Sequence, residues 1–146
     1  MKAYVFSKRL FDKHMADNGI TDSNIPQFAA VVSIGEPNKS DHYFKEASNV
    51  LNIDFWDVNG YDVEGIKGCT DEEAKIIYNF LIDNIGKTFY IHCHAGVSRS
   101  QAVAEFLRDC YGYEIERVVP YGAHSNTHLL TLLKRQYYKR ELSENL

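Results

Sequence analysis

Thr88-Phe89-Tyr90-Ile91-His92-Cys93-His94-Ala95-Gly96-Val97-Ser98-Arg99-Ser100 is the stretch that decides the fold. Its first four residues are aromatic or β-branched and predict a short buried strand. After it, Gln101 to Tyr111 places Ala102, Val103, Phe106, Leu107 and Cys110 at helical spacing. The residues between form a loop from a strand end to a helix start, which is an anion site by construction. The first N–H groups of a helix lack internal partners, and the helix dipole adds partial positive charge there. Gly96 permits a tight turn, and Arg99 adds a planar fork that grips two oxygens of a phosphate. A cysteine in such a ring of donors is favoured as the thiolate, its nucleophilic form. Cys93 is therefore the candidate nucleophile. Ser100 is placed to turn its hydroxyl towards the sulfur and stabilise it as a leaving group.

Working outward, the flanking chain alternates strand and helix signals. Ala3 to Phe6 predicts an edge strand, and Ser7 predicts the cap of a helix from Lys8 to Asn18 with Leu10, Phe11 and Met15 inward. Phe28 to Ile34 is almost continuously apolar and predicts a strand buried on both faces. Ser40 to Ala47 predicts a short helix, Val50 to Phe55 a strand, and Asp57 to Gly68 a loop. Thr70 and Glu73 form a capping box for a helix reaching Ile85, with Ala74, Ile77 and Leu81 on one face. Tyr113 to Val119 predicts a short helix before Pro120. Asn126 predicts the cap of a last helix with Leu129, Leu132, Leu133 and Tyr137 inward. The expected fold class is α/β, a single domain over residues 1–146, with a central, mostly parallel twisted sheet flanked by helices. Ligands of such sheets bind beyond the carboxyl ends of strands, where the Cys93 loop lies.

Composition narrows the function classes. The chain has 146 residues, 45% of them apolar, and a formal net charge of −4, so no general basic field recruits nucleic acid or an anionic membrane. The three cysteines, Cys69, Cys93 and Cys110, have neither the even count of a disulfide frame nor zinc-like spacing. No metal and no cofactor is expected. The start of the chain is too short in apolar residues for a signal peptide, and no run approaches a membrane span. A soluble cytoplasmic monomer is the expectation.

The stretch His92-Cys93-x-Ala95-Gly96-x-Ser98-Arg99-Ser100 resembles the signature of the protein tyrosine phosphatase superfamily, most closely its dual-specificity branch. The resemblance implies the cysteine-phosphatase fold from roughly Phe28 to Tyr137. It also implies a phosphomonoesterase acting on phosphorylated protein or peptide through a phosphocysteine. Cys93 would attack, while His94, Ala95, Gly96, Val97, Ser98 and Arg99 would cradle the phosphoryl oxygens. His92 would fix the loop through its ring.

The superfamily adds an aspartic acid, some thirty-odd residues before its cysteine, that protonates the leaving group. Asp54, Asp57 and Asp62 compete for that role. Asp54 falls inside the expected strand. Leu51-Asn52-Ile53-Asp54-Phe55-Trp56-Asp57 follows the family pattern Leu-x-Ile-x-x-x-Asp and favours Asp57, whereas Asp62 has the commoner spacing to the cysteine. Trp56 reads as a core residue or as an anchor for the acid loop. Phosphoinositide and RNA 5′-phosphatases share this loop chemistry, but the central residues His94 to Ser98 contain no lysine, and Ser98 stands where the RNA type has Asn. A phosphate-binding pseudophosphatase is a further alternative; such chains normally lose the cysteine, the arginine or the acid.

Overall fold

The computed structural model describes residues 1–118 and 124–144. Seven strands and four helices are assigned among them: β1 (Lys2–Ser7), α1 (Lys8–Asp17), β2 (Ala29–Gly35), β3 (Val50–Asp54), β4 (Asp62–Val63), β5 (Ile66–Lys67), α2 (Asp71–Asp83), β6 (Thr88–Cys93), α3 (Arg99–Tyr111), β7 (Glu114–Val118) and α4 (Thr127–Glu144). Five strands form one sheet in the order β3-β2-β6-β1-β7, and every pairing in it is parallel. Side chains alternate across a strand, so β1, β2, β3 and β6 each feed two cores. Ala3, Val5, Val32, Ile34, Phe89 and Ile91 pack with apolar residues of α2, α3 and α4. Phe6 and Val31, on the opposite face, pack with Phe11 and Met15 of α1 and with Phe44. The α/β sheet flanked by helices is as the alternating pattern predicts.

The helix starts follow their capping residues. Ser7 accepts the Leu10 N–H at 3.3 Å. Thr70 and Glu73 exchange both bonds of the capping box. Asn126 Oδ1 accepts the Leu129 N–H at 3.0 Å. Five local expectations need correction. β1 is an inner strand, because β7 pairs along its other side. β7 occupies Glu114–Val118, where a helix was expected (Val119 and Pro120 lie outside the described residues). Its Glu114, Glu116 and Arg117 are good helix formers, but charge also suits an exposed sheet edge. Ser40 to Ala47 forms no helix. Instead Ser40, His42 and Tyr43 bond through their side chains to Asp54, Ser33 and Ile20, and the Lys45 N–H bonds to Asp22. Phe28, expected in a buried strand, precedes β2 and is 65% exposed. The Asp57 to Gly68 loop contains the small antiparallel hairpin of β4 and β5, turned at Glu64 and Gly65. Among the described residues no helix is long and apolar enough to cross a membrane.

Candidate active site

The loop between β6 and α3 is fixed from below and from both flanks. Gly96 has φ +76, and a Cβ on it would press within 2.7 Å of the Phe6 and Ser7 backbone at the end of β1. Only glycine satisfies both the turn and that approach. The Lys8 N–H at the start of α1 donates to the His94 carbonyl at 3.1 Å. Gln101, fully buried, donates from Nε2 to the Gly96 carbonyl at 3.0 Å, while its Oε1 accepts from Arg117 Nε of β7 at 2.9 Å. The Asn126 N–H donates to the Ser98 carbonyl at 3.1 Å, so the start of α4 closes on the loop's far end.

Cys93 ends β6 on the face packed by α2, α3 and α4. Its sulfur lies 3.1 Å from Ser100 Oγ and accepts the Gly96 N–H at 3.2 Å. An ionised sulfur only accepts, so in that form the Ser100 hydroxyl and the Gly96 N–H would both donate to it. Burial and the nearby carboxylates of Glu73 and Asp71 push Cys69 up to about 12, and burial raises Cys110 as well.

Arg99 is 3% exposed. Its Nη1 donates to the Phe55 carbonyl at 2.6 Å and the Gly35 carbonyl at 3.2 Å, and its Nη2 pairs with Glu36 at 2.7 Å. The ends of β2 and β3 therefore aim the guanidinium. Among the described residues Nε has no partner although it is buried. Of the five guanidinium hydrogens, that on Nε and one on Nη2 stay available to a further acceptor. A buried donor left this way strongly favours an anion.

Asp57 is exposed just beyond β3 and is tied to the loop. Its Oδ1 accepts from Ser98 Oγ at 2.9 Å and from Asn126 Nδ2 at 2.8 Å. Both contacts fall on one oxygen, and among the described residues Oδ2 has no hydrogen-bond partner. Asp62 belongs to the hairpin instead. It bonds to Lys67 Nζ at 2.5 Å and to the Gly65 N–H at 2.9 Å, and these hold it below the usual carboxylate range. Asp54 bonds to His42 and Ser40.

The remaining expected site residues are distributed along the loop. His94 and Ala95 are exposed at the rim; Val97 and Ser98 are half-buried. A cleft of about 460 Å³ opens beside that rim, between His94, Lys8, Glu36 and Lys39. Three expectations change in part. The His92 ring bonds to Ser33 of β2 in addition to its interaction with the Cys93 backbone at the start of the loop. Trp56 is half-buried and, among the described residues, belongs to neither hydrophobic core. Asn126 does more than cap α4, because its amide nitrogen holds Asp57 and the Val58 carbonyl. Glu36 and Gln101 escaped sequence reasoning. Glu36 sits in a Gly-Glu-Pro-Asn turn that signals only a break, and Gln101 reads as an ordinary helix residue. Among the described residues no three His, Cys, Asp or Glu side chains gather as a metal site. No protein-family profile, no characterised protein and no solved structure matches the chain.

Proposed function

We propose that this chain is a cysteine-dependent phosphoprotein phosphatase of the tyrosine or dual-specificity type, with the cysteine-phosphatase fold. The observation that carries the reading is the pairing, within one strand-to-helix turn, of a sulfur contacted by the Gly96 N–H and the Ser100 hydroxyl with a buried guanidinium whose Nε lacks a partner among the described residues. Arg99 and the loop N–H groups hold the phosphoryl oxygens. Cys93 thiolate attacks phosphorus; the S–P bond forms as the P–O bond to the substrate breaks. Asp57 passes a proton from Oδ2 to the departing oxygen. Water then attacks the phosphocysteine and gives its proton to Asp57. The S–P bond breaks, inorganic phosphate leaves, and the Ser100 hydroxyl stabilises the released thiolate. Phosphorylated protein or peptide fits a loop whose rim, at His94 and Ala95, is exposed beside an open cleft.

The test is hydrolysis of p-nitrophenyl phosphate with and without chelator, followed by acid quenching and mass spectrometry of the peptide carrying Cys93. Turnover indifferent to chelator, with a phosphate mass on Cys93, is the expected result. Turnover undiminished in Cys93→Ser would overturn the proposal.

A further inference from the structure

Behind the candidate nucleophile, on the opposite face of the sheet, lies a chain of four polar side chains. Parallel register sets Ser33 of β2 beside His92 of β6, and Gly35 of β2 beside Asp54 of β3. His42, from the segment between β2 and β3, joins the two pairs. Asp54 Oδ1 lies 2.8 Å from His42 Nε2, and His42 Nδ1 lies 2.6 Å from Ser33 Oγ. Ser33 Oγ lies 2.7 Å from His92 Nε2. The backbone makes room for this chain: a Cβ on Gly35 would collide with Asp54 Oδ1 and crowd the His42 ring. An Asp-His-Ser series has the order of a hydrolase triad, but Ser33 is 2% exposed and its oxygen is already shared between two imidazoles. It has no access to a substrate.

The protons fix the direction of the chain. A carboxylate only accepts, so Asp54 takes the Nε2–H of His42. Where that is the only ring proton of His42, its Nδ1 is bare. The single hydroxyl proton of Ser33 goes to that nitrogen, and the Ser33 oxygen accepts from His92 Nε2–H. His92 is fully buried, and burial, then Lys8, His42 and Arg99, lower it to about 3 against a raising contribution from the Cys93 backbone. It is neutral and owns one ring proton. Phe11 packs against its ring at 4.4 Å between centroids, and Nδ1 has no hydrogen-bond partner among the described residues.

From this geometry we infer that Asp54, His42 and Ser33 are positioning residues that lock His92 in its Nε2–H tautomer and so hold the backbone leading into Cys93. The same elements aim Arg99: Gly35, whose missing side chain makes room for Asp54, and Phe55, which follows Asp54, give Arg99 its two carbonyls. The relay couples the orientation of the cysteine to that of the arginine. This role rests on the phosphatase reading; the tautomer does not.

Nitrogen-15 NMR of the histidine rings separates the two. In the wild type, His92 is expected to show a protonated Nε2 and a bare Nδ1. Ser33→Ala and Asp54→Asn should both lose that single tautomer, and Ser33→Thr, which keeps the hydroxyl, should retain it. Asp54 is partly exposed, so its variant reports even if Ser33→Ala fails to fold. With p-nitrophenyl phosphate, kcat should fall by between about 10-fold and about 10²-fold in both variants while KM changes little. The rate of Cys93 alkylation by iodoacetamide should shift alongside. A protonated Nδ1 in the wild type, or a tautomer untouched by both variants, overturns the relay even if the enzyme is active. A tautomer that changes with neither kcat nor alkylation following overturns the positioning role. A wild type without turnover, whose tautomer and alkylation rate still respond, sinks the phosphatase reading and upholds the relay.

Discussion

The segment from His92 to Ser100 and the segment from Trp56 to Cys69 meet at one hydrogen bond, between Ser98 and Asp57, and they are built in opposite ways. The first is contiguous and held in the body of the protein. Gly96 lies against the end of β1, Gln101 grips its carbonyl, and Arg99 is anchored by two strand ends. The second is a surface excursion. Both strands of its hairpin are exposed, and Asp57 is held through Asn126 from nearly seventy residues further along. The contrast suits the chemistry proposed above. Gripping a dianion requires many fixed donors at once, which only a packed turn supplies. Moving a proton requires one carboxyl near water that can take either form.

The widest separation of the two regions is expected at the nucleophile. Cys93→Ser should reduce turnover of p-nitrophenyl phosphate to background, whereas Cys110→Ser should remain active, because Cys110 lies outside the loop and carries a thiol raised by burial. Comparable loss in both variants would mean that the loop has no special claim on catalysis.

The acid segment should show a smaller effect that depends on substrate. Asp57→Asn keeps an oxygen for Ser98 and Asn126 but removes the transferable proton. Loss of a general acid costs about 10²–10⁴ in rate, and that cost should appear with phosphotyrosine and shrink with p-nitrophenol as leaving group. Asp62→Asn, already bound up with Lys67, should be close to neutral. Leaving-group dependence in Asp62→Asn and none in Asp57→Asn would transfer the role to the hairpin.

Arg99→Lys tests the fixed region. Removing one preorganised donor of this kind costs about 10²–10³ in kcat. A lysine cannot span Glu36, the two carbonyls and an anion together. The loss should be the same for good and poor leaving groups, unlike that of Asp57→Asn. A loss that followed the leaving group would merge the two regions into one function.

These regions were also unequally legible. The Cys93 loop could be read because its residues are neighbours in sequence and a strand-loop-helix context surrounds them. The acid could be narrowed to three carboxylates, with Asp57 favoured by its pattern, but its contacts with Ser98 and Asn126, and that of Asp62 with Lys67, are not contained in the spacing. Glu36, Gln101, Ser33 and His42 were invisible as site residues for the same reason: each works through strand register or a long-range hydrogen bond. The parallel sheet was legible from alternation. β7 was not, because an edge strand rich in Glu and Arg carries the propensities of a helix. Ser40 to Ala47 was misread because its polar side chains bond across the fold rather than along their own backbone.

His92 links the loop's geometry to stability. Its folded value of about 3 lies below the ordinary 6.5, so the unfolded chain takes up a proton first as pH falls. This contribution is fully present above 6.5 and is lost as pH drops from there towards 3. The limiting slope is about 1.4 kcal/mol per pH unit for one proton. Denaturant unfolding of wild type and His92→Asn across that window should show the wild type with the steeper dependence. Parallel curves would mean that the buried ring is protonated in the folded protein.

The smallest effect expected is at Asn126, where the two regions share one side chain. Its Oδ1 caps α4 by accepting the Leu129 N–H, and its Nδ2 holds Asp57 and the Val58 carbonyl. A serine retains an oxygen for the cap but no amide to donate, whereas an alanine loses both. Asn126→Ala should therefore be destabilised by about 1 kcal/mol, the usual cost of a lost N-cap, and Asn126→Ser by only a fraction of that. Catalysis should divide differently. Both variants release Asp57 from one of its two tethers, so both should slow poor leaving groups to the same extent, and by less than Asp57→Asn, because Ser98 still holds the carboxylate. Unfolding midpoints and the ratio of phosphotyrosine to p-nitrophenyl phosphate turnover read the two roles separately. Should Asn126→Ser match the wild type in that ratio, the contact to Asp57 is a by-product of the cap, and the acid segment depends on Ser98 alone.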